Sequence, residues 1–338
     1  MRTRSARDLP QGTVHRLMHD SRVLVGNSIG DPVRRELLVY TPAGWTKGER
    51  LPLLVDLPGY NKAGQAHTNW QSLVENVPER LDRLIGTGAM GRAVVAFPDC
   101  YTRLGGNQYI NSAGSGRYAD YLILEIVPTV EREFGCGGEG RRGCFGKSSG
   151  GYGAIWHGLH HGDFWAAISC NSGDMGFDCL MMPECYKALE VLQAHGMSIR
   201  RFIEHLEGAR KPTHREMLCR MFLAMGAFYD PDPSSFMNIR LPVDPDTAEL
   251  IPERWANWLR HDPARIVGEC GDSLRRLKGL WLDCGNRDQF YLQYGMRRLA
   301  RRLKEMGITH VCEEFDDDHT DVDYRMDRFL PYLTERLA

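Results

Sequence analysis

Short apolar runs alternate with segments of helical spacing along most of the chain. Runs of strand length cover 36–40, 51–57, 93–97, 143–145, 166–169, 280–283 and 311–315. Between them, the apolar positions Ile123, Ile126, Val127, Val130 and Phe134 in 118–134 follow the 3.6-residue period, with a kink predicted at Pro128. A second stripe, Leu292, Met296, Leu299 and Leu303, runs through 291–306 and is closed by Gly307. Arg297, Arg298, Arg301 and Arg302 then fall on the solvated face of that helix. Continuous apolar strands alternating with helices predict a mostly parallel sheet covered on both faces, an α/β fold.

One region breaks the alternation. From 176 to 266 no strand is predicted, only helical patterns at 184–193, 199–207 and 215–225 and a Pro- and Asp-rich stretch, PVDPDTAELIPERW. Because strands resume afterwards, 176–266 is read as a helical cap inserted into a single domain spanning 1–338. Met217, Met221, Phe222 and Met225 form a stripe there, which packing explains more simply than a pocket lining does.

Composition narrows the function classes. The 338 residues carry 42 Lys plus Arg against 44 Asp plus Glu, net charge −2, with no basic footprint for nucleic acid or a membrane surface. No run of 18 apolar residues occurs and the N-terminal segment lacks a signal-like apolar stretch, so a soluble, cytoplasmic protein is expected. The ten cysteines stand without Cys-x-x-Cys pairs, several in apolar runs, and read as buried free thiols.

The stretch CFGKSSGGYGA at 144–154 brings in chemistry. Gly-x-Ser-x-Gly alone is weak in a chain with 36 glycines. Its setting strengthens it: a strand ends before Ser148 and a helix of small residues begins after it, as a nucleophile elbow requires. A serine hydroxyl needs a base, and the base needs a group that fixes its tautomer. His319 follows the last predicted strand at its carboxyl end, whereas His310 opens that strand and His160 and His161 end the elbow helix. Asp288 lies just past 280–283 and can reach a histidine in the adjacent loop. Asp283 falls inside the strand, and Asp316 to Asp318 stand too close to His319 in sequence to orient its ring. The order Ser148, Asp288, His319 is the one expected of an α/β-hydrolase. Backbone amides of Ser149 and of Tyr60, in the loop after 53–57, are the candidate oxyanion donors.

The motifs GKSSGGYGA, LDCGNRD and Asp318-His319, with the Asn/Tyr-containing segment that starts at Gly105, resemble the esterase branch of the α/β-hydrolases that contains esterase D, S-formylglutathione hydrolase, enterochelin esterase and feruloyl esterase modules. The resemblance covers most of 20–335 outside the helical insertion. It implies an α/β-hydrolase fold and a serine esterase with a Ser-His-Asp triad, without metal or organic cofactor, acting on a small-molecule ester. Thioester hydrolysis or acyl transfer by the same triad is the alternative, and a non-catalytic binding module a more distant one. It further implies that Gly59, Trp70, Asn107 and Gln108 shape the substrate site, while Lys147 either attracts an anionic substrate by its charge or, on the simpler reading, faces solvent. Two departures stand out: many relatives have His-Gly where Pro58-Gly59 stands, and His where Lys147 precedes the serine. The acyl and alcohol groups stay unassigned, and a homo-oligomer stays open.

Overall fold

A computed structural model describes residues 8–338, so the first seven residues of the N-terminal segment lie outside it. The chain opens with β1 (Thr13–Asp20), β2 (Arg34–Thr41) and β3 (Leu53–Leu57). Then come α1 (Gly64–Thr68), α2 (Val77–Gly86), β4 (Val94–Pro98) and a small hairpin, β5 (Asn111–Ser112) with β6 (Gly116–Arg117). After α3 (Tyr118–Asp120) and α4 (Val127–Phe134) follow β7 (Arg142–Lys147), α5 (Ser149–His161) and β8 (Ala167–Asn171). Helices α6 (Phe177–Gln193), α7 (Ile199–Gly208), α8 (His214–Tyr229), α9 (Pro252–Leu259) and α10 (Pro263–Cys270) intervene before β9 (Gly279–Gly285). Next are α11 (Leu292–Glu305), β10 (Val311–Phe315) and α12 (Met326–Leu337).

Eight strands form one sheet in the order β1-β2-β4-β3-β7-β8-β9-β10. β1 and β2 join it antiparallel, and β4, β3, β7, β8, β9 and β10 run parallel. The central strands are buried on both faces, which explains their unbroken apolar runs. Leu53, Val55 and Leu57 of β3 point into a core shared with α4, α5 and α11, while Leu54 points to the opposite core, closed by α2 and α12. Each such side chain contributes about 1.5–3 kcal/mol on burial.

Three local features differ from the sequence expectation. β1 carries the pattern TVHRLMHD and is largely exposed or half-buried, so it offers no apolar run to detect; its pairing with β2 fixes it. At Pro128 the helix is not simply kinked: the turn before it, Tyr121–Ile126, widens to a π-helix, and Pro128 sits in the first turn of α4, where its missing N–H is harmless. Finally, α6 begins at Phe177 and runs through Pro183, well before the predicted start at 184. All ten cysteines are unpaired, and most are buried.

Candidate active site

The carboxyl ends of five neighbouring parallel strands, β3, β7, β8, β9 and β10, face one cavity of about 190 Å³. This edge is where a doubly covered sheet leaves backbone ends uncovered by its crossover helices. Ser148 stands between β7 and α5 with φ 58 and ψ −125. Its N–H donates to the Asn171 carbonyl at 3.0 Å, so the neighbouring strand holds the turn. The Asn171 side chain adds a second tie, its Nδ2 donating to the Gly146 carbonyl at 2.9 Å. A Cβ on Gly146 would stand 2.3 Å from the Leu57 carbonyl oxygen, and one on Gly150 only 1.7 Å from it. Both motif glycines are therefore demanded by the close approach of β3 to the turn.

Loops after β9 and β10 bring in the other two partners. His319 Nδ1 lies 2.7 Å from Asp288 Oδ2, and Asp288 is 2% exposed. Asp288 Oδ1 accepts the Phe290 N–H at 2.9 Å, and the Phe290 ring meets the imidazole edge-on at 5.0 Å. The His319 N–H donates to Gln289 Oε1 at 3.0 Å, which fixes the loop that carries the ring. Ser148 and His319 both line the cavity, with no hydrogen bond yet between them. Bonds of this kind commonly tighten only with substrate present.

The loop after β3 lies against the serine: a Cβ on Gly59 would contact the Lys147 carbonyl at 3.3 Å and Ser148 Cβ at 3.5 Å. Tyr60 also lines the cavity, its ring packed on Gly106 and its hydroxyl donating to the Leu104 carbonyl. The segment around Gly105 braces this loop, since Tyr109 Oη donates to the Pro58 carbonyl at 2.5 Å and the Asn61 N–H to Gly105 at 3.0 Å.

Not all residues expected at the substrate reach it. Gly59 and Lys147 line the cavity, but Trp70 stands outside it on the loop after α1, 65% exposed. Asn107 is buried and spends its side chain on the Cys100 carbonyl at 2.9 Å and the Tyr109 N–H at 2.6 Å, which shapes the brace. Gln108 lies one layer behind the cavity, its Nε2 donating to Ser149 Oγ at 2.8 Å and Asp174 Oδ2 at 3.1 Å. The stripe on α8 divides: Met221 and Met225 line the cavity with Leu218, while Phe222 is in the core.

Two groups escaped the sequence reading. Asp174, just past β8, is 5% exposed and lines the cavity beside Ser148. Burial raises its carboxyl to about 6, although hydrogen bonds from Gln108 and Ser149 and the proximity of His319 pull it the other way. His67 lines the cavity too, with its Nδ1 at 2.6 Å from the wholly buried Asp56 on β3. The one signal for that pair was an aspartate inside the apolar run LLVDL, since a buried carboxylate demands a partner. The Lys147 ammonium has no hydrogen bond or ion pair among the described residues, and burial lowers its pKa.

Residues 26–330 match the protein family described as "Putative esterase". The chain belongs to that family. It is thus a carboxylic ester hydrolase with the α/β-hydrolase fold. A ferulic acid esterase is 20% identical, with a TM-score of 0.60 over 96% of this chain and 99% of that one. The serine hydrolase FphF of Staphylococcus aureus is 16% identical, with a TM-score of 0.59 over 96% and 99%. An S-formylglutathione hydrolase of Agrobacterium tumefaciens is 17% identical, with a TM-score of 0.58 over 97% of each chain. At such identities these likenesses show the fold. No curated protein matches this chain. Among the described residues, no helix of the esterase is long and apolar enough to cross a membrane.

Proposed function

We propose that this esterase works through an acyl-enzyme formed on Ser148. The observation that carries the reading is the junction of three separate pieces of chain: a serine held at φ 58 at the end of β7, and a histidine after β10 oriented by a buried aspartate after β9, with serine and histidine opening on the same cavity. Ser148 Oγ attacks the ester carbonyl while His319 Nε2 takes its proton. Asp288 keeps the Nδ1 proton in place and stabilises the imidazolium. The oxyanion is received by the backbone N–H groups of Ser149, at the start of α5, and Tyr60. His319 then protonates the leaving alcohol, and water activated by the same ring releases the acid.

The cavity is divided chemically. Leu180, Met181, Leu218, Met221 and Met225 from α6 and α8 make an apolar wall, which suits the acyl chain. Lys62, His67, Lys147 and Asp323 make a polar flank, which suits the leaving alcohol.

Treatment with a fluorophosphonate followed by peptide mapping tests the mechanism. A Ser148 adduct in the wild type that is lost in His319→Ala is expected, with esterase activity of Ser148→Ala down by about 10⁴ or more. Folded wild type without an adduct on Ser148, or undiminished activity of Ser148→Ala, would overturn it.

A further inference from the structure

His195, His205 and Glu216 come together on the outer side of the helices between β8 and β9. Their candidate ligand atoms all lie within 4.8 Å of one another. We infer that this cluster is a binding site for a late first-row divalent cation, zinc foremost, made of residues that do not line the catalytic cavity.

Each residue is brought by a different element. His195 sits in the turn after α6, His205 in the last turn of α7, and Glu216 in the first turn of α8. The carboxylate is already aimed. Glu216 Oε2 accepts the Thr213 N–H and Oγ1–H, both at 2.7 Å, in the box that caps α8. That leaves Oε1 for the cluster, where it lies 2.7 Å from His205 Nε2. The Thr213 bonds thus turn the free carboxylate oxygen toward the two rings. Outer bonds of this kind are what fix a metal-binding carboxylate.

The imidazoles fit as well. The rings of His195 and His205 stand with centroids 4.9 Å apart and planes inclined by 47°. Neither ring nitrogen of His195 has a hydrogen-bond partner among the described residues, and the ring is seated edge-on against Phe202 at 5.3 Å. Two imidazoles and one carboxylate are a donor set that zinc accepts with water in the fourth place, whereas calcium and magnesium call for oxygen alone. Zinc would hold the three donors about 2.0–2.2 Å from a common centre, which atoms now within 4.8 Å of one another reach only by shifts on the order of an ångström. Neighbouring charge is largely neutralised, with Arg215 paired to Glu190 and Arg200 to Glu204, while Arg201, against Gly196, remains for the ion to tolerate.

A bound ion would tie the α6–α7 corner to α8, the helix whose Leu218, Met221 and Met225 wall the catalytic cavity. The ion is therefore a clamp on that wall and takes no part in ester cleavage.

Metal-stripped, intact protein titrated with Zn²⁺ in a calorimeter is expected to bind one equivalent at this site and to melt at a higher temperature with zinc. Co²⁺ serves as the second probe, because the ten free cysteines could also take up zinc. At this site Co²⁺ gives visible d–d bands without a thiolate charge-transfer band. His195→Ala, His205→Ala and Glu216→Gln are each expected to weaken binding at least tenfold. The Gln variant keeps an acceptor for the Thr213 cap and so separates loss of the ligand from loss of the helix start. Absence of a one-equivalent transition, uptake unchanged by all three substitutions, or a cobalt spectrum dominated by thiolate would overturn the inference.

Discussion

At the scale of single residues, two positions in the cavity hold conformational or electrostatic energy that substitution can release. Ser148, at φ 58 and ψ −125, occupies backbone space that costs an L-residue about 1–3 kcal/mol. Ser148→Ala and Ser148→Gly both remove the hydroxyl, but only glycine removes the strain. Urea unfolding should therefore find the Gly variant more stable than the Ala variant by about 1 kcal/mol, even after glycine's greater freedom in the unfolded chain. Equal stabilities would mean that the turn is unstrained. Asp174 stores energy differently. Burial raises its carboxyl to about 6 from 3.8, so between those pH values the folded protein holds a proton that the unfolded chain has lost. Stability is then full below about pH 4 and falls as pH rises through about 6, by about 3 kcal/mol from this group. Asp174→Asn removes the titration while keeping an oxygen for Gln108. The variant should gain on the wild type between pH 4 and 7 in denaturation curves, and a difference independent of pH would refute the assignment. A charged Asp174 above pH 6 also stands ready to stabilise the positive charge that His319 gains as it takes the serine proton, so kcat/KM of Asp174→Asn should fall chiefly on that side of the profile.

At the scale of elements, the elbow depends on three strands meeting. Gly150→Ala would drive a methyl to within 1.7 Å of the Leu57 carbonyl, and a backbone atom cannot swing aside as a flexible side chain can. The variant should lose at least 1–3 kcal/mol of stability, or fail to fold, and whatever folds should label poorly with fluorophosphonate because β3 and the loop after it are pushed from Ser148. Wild-type melting and labelling would show that the contact is soft. These elements were readable from sequence where pattern and chemistry coincide. The parallel strands announce themselves by unbroken apolar runs, and Ser148, Asp288 and His319 by standing just past the ends of such runs. β1 was not readable because an exposed edge strand has no reason to be apolar, and α6 was cut short at Pro183, which the packed helix tolerates. Asn107 and Gln108 sit in the right loop, yet they act on Pro58, Ser149 and Asp174 through the brace, and a sequence position does not say which way a side chain turns. Asp174 and the Asp56–His67 pair were missed because their meaning comes from neighbours far along the chain.

At the scale of the whole molecule, the sheet supplies the reacting groups and the helices between β8 and β9 supply the wall that faces them. This division implies that acyl preference can be altered without touching the chemistry. Met221 is the position to change: it lines the cavity from α8, whereas Met225 also accepts a hydrogen bond from Gln108 Nε2 at 3.1 Å and would disturb Asp174. Met221→Ala deletes the three heavy atoms beyond Cβ on the apolar side, and because Met221 is only partly buried the loss of stability should stay near 2 kcal/mol, the lower end for core truncations. With 4-nitrophenyl esters of increasing chain length, the kcat/KM optimum should move to longer acyl chains. The change should appear mainly in KM for the long esters, since the added contacts form alike in ground and transition states. An unchanged chain-length profile in a folded, fluorophosphonate-reactive variant would place the acyl chain on the polar flank instead, beside Lys62, His67 and Lys147. The wall of α6 and α8 would then meet the leaving alcohol, and the two halves of the substrate would exchange places around Ser148.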